Sequence, residues 1–181
     1  MKPIEQLKAE HEGIKLMLKI VGKVCDKPDD INQEHFTKIL EFLKIFADKC
    51  HHGKEEELLL PAMVEAGVPK EKGVIKFTLI EHGQGRGYIK GMSEALANLK
   101  NGDKKTAGRI VENAKNYIAL LTKHIDMENN MLFPMADKVL SQAKQAEIEE
   151  GFEQLKVERI GLGKHEEFHK LLHHLKEIYL G

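Results

Sequence analysis

His51-His52-Gly53-Lys54-Glu55-Glu56-Glu57-Leu58-Leu59-Leu60-Pro61 is answered 73 residues later by His124-Ile125-Asp126-Met127-Glu128-Asn129-Asn130-Met131-Leu132-Phe133-Pro134. In both stretches a histidine is followed four residues on by a glutamate, then by an apolar triplet and a proline at the same offset. Residues four apart share one face of an α-helix, so each stretch reads as a helix presenting a His–Glu pair. Each also has an upstream Glu-His, Glu10-His11 for the first and Glu81-His82 for the second. The separations match: 40 residues from His11 to His51 and 42 from His82 to His124. Two similar helical hairpins, packed face to face with pseudo-two-fold symmetry, would bring one histidine from each of four helices to a single interior level.

The flanking sequence supports helices throughout. Ile4, Leu7, His11, Ile14, Leu18 and Val21 follow the spacing of one helix face. A second helix is predicted over about 32–66, striped by Phe36, Ile39, Leu40, Leu43 and Phe46 and broken by Gly67-Val68-Pro69. A third is predicted over 70–99, ended by Asn101-Gly102-Asp103, and a fourth over 104–140. A last segment covers 142–180, with a break at Gly161-Leu162-Gly163. Strand alternation and hairpin dipeptides are missing, and short connections favour antiparallel neighbours. The expected fold is all-α: an antiparallel up-down four-helix bundle over residues 1–140. A C-terminal helical extension, 141–181, packs on it within a single domain.

Composition narrows the function. The 181 residues carry 28 Lys+Arg against 29 Asp+Glu, a net charge of -1, with 6% aromatics and no Trp. A near-neutral chain without a basic block lacks the footprint of a nucleic-acid or acidic-membrane binder. No apolar run approaches the ~20 residues that span a bilayer. The opening residues, MKPIEQLKAE, carry acids where a secretory signal needs an apolar stretch, so a cytoplasmic location is expected. Cys25 and Cys50 do not make a disulfide framework. The 10 histidines are the unusual feature. His11, His51, His82 and His124 with Glu55 and Glu128 would be costly to bury without a partner, by several kcal/mol. A metal removes that cost. Imidazole suits Fe, Zn, Cu and Ni, and bundle cores hold dinuclear carboxylate sites.

The stretches at 51–57, 81–83 and 128–134 resemble the hemerythrin-like, HHE cation-binding family, and the resemblance runs from His11 to about Asp137. It implies a four-helix bundle with a non-heme di-iron centre, two iron ions joined by an oxo or hydroxo bridge. Carried onto this chain, His11 and His51 would serve one iron and His82 and His124 the other. Glu55 and Glu128 would bridge them. The implied ligand is small: O₂, hydrogen peroxide or NO. The implied roles divide into oxygen carriage, sensing or iron storage, and enzymatic decomposition of peroxide or reduction of NO. With no nucleotide-binding motif in the chain, a reductive role would draw electrons from a separate donor protein.

Oxygen-carrying members place a fifth histidine four residues after the third-helix one, where this chain has Arg86. With about six positions per iron, that absence leaves two open and favours reactivity over carriage. The C-terminal stretch Gly163-Lys164-His165-Glu166-Glu167-Phe168-His169 offers His165 or His169 as a replacement. It is also a literal H-E-x-x-H, which on a helix binds zinc in hydrolases, but no substrate-cleft domain accompanies it. A ferritin-like site needs two Glu-x-x-His motifs, and only Glu166-x-x-His169 fits. Several neighbours carry lesser expectations. His52, about 100° around the helix from His51, is expected to point away from the site, with His35 at the surface and Cys50 a packed thiol. Glu10 and Glu81 are candidates to accept ligand N–H bonds. Tyr88 and Tyr117 are left open. Pro61 and Pro134 are expected to end or kink their helices. Gly83, Gly85, Gly87 and Gly91 are expected to admit a neighbouring segment or leave room beside the metals.

Overall fold

The computed structural model describes residues 1–181 and contains helices and turns only. Helix α1 spans Pro3–Cys25, opened by Pro3 in the first turn, where a missing N–H costs nothing. A second rod is built from α2 (Gln33–Phe42), π-helical turns over Leu43–His52 and Glu55–Leu59, and α3 (Leu60–Glu65). Asn32 caps its start by accepting the His35 amide at 2.9 Å. Gly67, at φ +99°, turns the chain out of it. The third rod is α4 (Gly73–Lys100). The fourth comprises α5 (Ala107–Met127), a π-helical turn over Glu128–Leu132 and α6 (Phe133–Val139). Helices α7 (Gln142–Arg159) and α8 (Lys164–Leu180) complete the chain, divided at Gly161 and Gly163, both with positive φ.

The prolines do not end their helices. Pro61 and Pro134 sit in the first turns of α3 and α6, which continue the rods. A proline inside a helix removes one i→i−4 bond and presses its ring on the carbonyl four residues back. Here the turn ahead of each proline widens instead. Leu60 N–H donates to the Glu55 carbonyl and Phe133 N–H to that of Glu128, both five residues back. Each wide turn therefore begins at one of the repeated glutamates.

The rods pack as an antiparallel bundle, with α4 against α5 and α2, and α1 against α5. α7 and α8 fold back against α1 and the second rod. The apolar interior is divided in two. One cluster holds Ile14, Ile20, Phe36, Phe42, Tyr117, Phe168 and Leu175 among others. The other holds Leu7, Leu59, Met63, Ile75, Phe133, Ile148 and Phe152. Buried polar residues lie between them in the chain's four rods: His11, His51, His52, Glu55, His82, His124 and Glu128. Both apolar clusters draw residues from the C-terminal helices. No helix is long and apolar enough to cross a membrane.

Of the four helical glycines expected to serve neighbours, only two face one. A Cβ on Gly85 would lie 3.5 Å from the Tyr117 ring, and one on Gly91 would collide with the Asn113 side chain. Gly83 and Gly87 face open space.

Candidate metal centre

Two groups of donors meet in the polar layer. His11, His51, Glu55 and Glu128 form one, and His52, Glu55, His82 and His124 the other; within each, the donor atoms lie within 4.8 Å of one another. The two glutamates couple them. Glu128 places Oε2 3.0 Å from His11 Nε2 and Oε1 2.9 Å from His124 Nε2. Glu55 places Oε1 3.5 Å from His51 Nε2 and Oε2 3.2 Å from His82 Nε2. Each carboxylate thus turns one oxygen to each histidine group. The six residues singled out by the repeat come together.

With each neutral ring carrying its proton on Nδ1, these close approaches are not hydrogen bonds. His11 Nε2, His51 Nε2 and all four oxygens of Glu55 and Glu128 are buried without a hydrogen-bond partner. Orphaned carboxylate oxygens at zero exposure are among the most expensive groups to leave in a core. The spacing says what would satisfy them. Two donors about 2.1 Å from one ion and at right angles stand about 3.0 Å apart. Buried donor atoms gathered at this spacing without hydrogen-bonding one another are the arrangement a cation would satisfy.

The opposite side of every ring is fixed. His51 Nδ1 pairs with Glu10 Oε2 at 2.8 Å, His124 Nδ1 with Glu81 Oε2 at 2.6 Å, and His82 Nδ1 with Glu56 Oε1 at 2.8 Å. His11 Nδ1 pairs with Asn129 Oδ1 at 2.9 Å and His52 Nδ1 with Asp48 Oδ1 at 3.3 Å. An acceptor at Nδ1 places the proton there and leaves Nε2 as the free lone pair, which orients a ligating imidazole. Glu10 and Glu81 take the role the sequence suggested for them, each accepting from a histidine on a different rod.

His52 corrects the sequence reading. It is buried, and its ring stacks on His82 with centroids 3.8 Å apart. The reason is the π-helical stretch Leu43–His52, where Gly53 N–H reaches the Asp48 carbonyl five residues back. A wider turn takes more residues per revolution, so His51 and His52 diverge by less than the 100° of an α-helix and both enter the interior. The site therefore brings together five histidines. Arg86 instead lies one layer out. Its Nε donates to Asp48 at 2.9 and 3.1 Å and its Nη2 to Glu56 at 2.7 Å, holding the acceptors of His52 and His82.

His165 and His169 are not brought to either group. Their rings face each other at 4.6 Å, and His165 lies against Phe46 at 5.6 Å. Neither belongs to a group of three or more donors, and Glu166 is paired at the surface with Lys170 at 3.0 Å.

In the metal-free protein, protons on the imidazoles balance the buried carboxylates. Burial pushes His124 down, but Glu128 and Glu81 prevail and raise it to about 9. His82 is likewise pushed down by burial and carried well above the usual imidazole range by Glu128, Glu55 and Glu56, and His51 is raised by Glu55 and Glu10 against the same burial. His52 is lowered well below the usual range by burial and the neighbouring imidazoles. Burial works to raise Glu10, yet its bonds to His51 and Lys54 hold it at about 2.

A helical bundle whose core presents two histidine groups joined by two shared carboxylates defines a class of cation-binding bundle proteins. The hemerythrin HHE cation-binding domain matches residues 2–136 of the chain, and the protein belongs to that family. No curated protein matches the sequence.

Proposed function

We propose that this protein holds two iron ions in a non-heme centre and binds O₂, peroxide or NO there. The observation that supports the reading best is the sharing of Glu55 and Glu128. Each has one oxygen beside either histidine group and none in a hydrogen bond. His11 and His51 would hold one ion, and His52, His82 and His124 the other. When bound, iron would supply Lewis acidity and one-electron chemistry. The protein would supply fixed imidazoles, a buried setting and a defined difference between the halves. The His11/His51 half offers one imidazole fewer, which makes it the half with room for an exogenous ligand. The sequence count of two open positions falls to one once His52 is included. That favours ligand binding at a single place.

The testing experiment is elemental analysis of protein produced with iron supplied, followed by hydrogen peroxide addition. Near two irons per chain is expected. His52→Ala should lower that number, while His165→Ala and His169→Ala should not. A single zinc per chain, lost with His165→Ala, would overturn the reading in favour of the C-terminal motif. Peroxide consumed beyond the amount of iron would mark an enzyme. Stoichiometric consumption would mark a binding protein.

A further inference from the structure

We propose that Lys54, locked beneath α7, is a positioning residue for the His11/His51 half of the centre, acting through Glu10. The C-terminal helices would thereby complete a site whose ligands all lie outside them. The inference rests on the dinuclear reading.

Lys54 is the one buried lysine of the chain, 1% exposed. Lysines are almost never fully buried unless paired. Its Nζ contacts Glu10 Oε1, and the other oxygen of that carboxylate takes the His51 Nδ1 bond at 2.8 Å. One ammonium and one imidazole thus hold the two oxygens of a single carboxylate. What keeps Lys54 there comes from α7. Its Nζ lies 5.3 Å from the centroid of the Phe152 ring, within the range of a cation–π contact. Beside it, a Leu155 methyl comes 3.8 Å from where a Gly53 Cβ would stand. α7 therefore lies directly over the Gly53-Lys54 backbone, between His52 and Glu55. The other half is anchored differently, by Arg86, which is 43% exposed and tied to Asp48 and Glu56. Each half thus has a cation behind some of its acceptors, Lys54 behind Glu10 in one and Arg86 behind Asp48 and Glu56 in the other, and of the two it is Lys54 that lies against α7.

The physical consequence is directional. Without Lys54, Glu10 keeps its bond to His51 but loses the second contact that fixes its plane. His51 is then free to rotate, and the ion it serves is held less well. Groups of this kind behind a metal ligand are typically worth about 10–100-fold in affinity.

The test is a cobalt(II) titration of the full-length metal-free protein, read by visible absorption, on wild type, Lys54→Met, Glu10→Gln and the double variant. Folding is checked by circular dichroism, and Lys54→Gln, closer in polarity and length, stands in if Lys54→Met does not fold. Wild type is expected to take two equivalents. Each single variant should weaken one equivalent by about 10–100-fold and leave the other unchanged. The double variant should be no weaker than the worse single, because Lys54 acts through Glu10. Two unchanged equivalents in Lys54→Met, equal weakening of both, or additive losses in the double variant would overturn the inference while leaving the dinuclear reading standing. Fewer than two equivalents in wild type would overturn both.

Discussion

At the scale of single residues the site is a problem in charge. Two carboxylates with no hydrogen-bond partner sit at zero exposure, and without metal their compensation must come from protonated imidazoles. His124 is raised to about 9, and His51 and His82 are raised as well. An imidazole whose pKa is higher folded than unfolded stabilises the fold fully below the unfolded value of about 6.5. That contribution is lost as pH climbs through the folded value. The metal-free protein should therefore lose thermal stability steadily between pH 6.5 and 8.5, by up to about 1.4 kcal/mol per pH unit for each imidazole that stays protonated only in the folded state. At the top of the window the buried thiols Cys25 and Cys50, raised by burial to about 11, begin to add a loss of the same sign, because thiols of the unfolded chain ionise from about 8.5. Metal displaces those protons, so cobalt uptake should release acid and tighten with rising pH. Calorimetry at the two pH values, with and without metal, checks both halves. A metal-free melting temperature that rises toward pH 8.5 would contradict the protonated-imidazole account.

At the scale of the helix, the repeat made most of the site legible and the helical period hid the rest. His11, His51, Glu55, His82, His124 and Glu128 were readable because each sits in a motif whose α-helical spacing puts it on the inward face. His52 was misjudged because the reading assumed 100° per residue where the chain is wound as a π-helix. Pro61 and Pro134 were visible in the sequence, but the bond pattern that absorbs them was not. Asp48, Glu56, Asn129 and Lys54 belong to ordinary charged or polar runs, and nothing local marks them as partners of residues on other rods. The glycines of α4 give a prediction at this same scale. Gly87 faces open space and has no positive φ, so it costs helix stability and returns no close approach. Gly87→Ala should stabilise the protein by about 0.5–1 kcal/mol, a rise of roughly 1–4 °C in melting temperature for a chain of this size. A melting temperature that falls would show a neighbour the open space does not contain.

At the scale of the molecule, a polar layer divides the core, and the C-terminal helices contribute to both sides of it: Ile148 and Phe152 of α7 to one cluster, Phe168, Leu172 and Leu175 of α8 to the other. Their sequence suggested an extension packed on the bundle. It did not show that α7 lies over Lys54, nor that His165 and His169 face Phe46 and each other, because the place where a terminal segment docks is decided by long-range contacts. The division lets stability and metal binding be separated. Leu175 is fully buried in the cluster that also holds Ile20 and Phe36, and it lies on α8, not on the α7 helix that covers Lys54. Leu175→Ala should cost about 2–4 kcal/mol through lost burial and the cavity left behind, lowering the melting temperature by roughly 5–15 °C. Metal stoichiometry at room temperature should stay at the wild-type value, because the donors are held by their own rods. A melting temperature within about 2 °C of wild type would mean that α8 lies outside the cooperative core. A large fall accompanied by loss of one metal equivalent would mean that the two apolar clusters and the layer between them act as one rigid body.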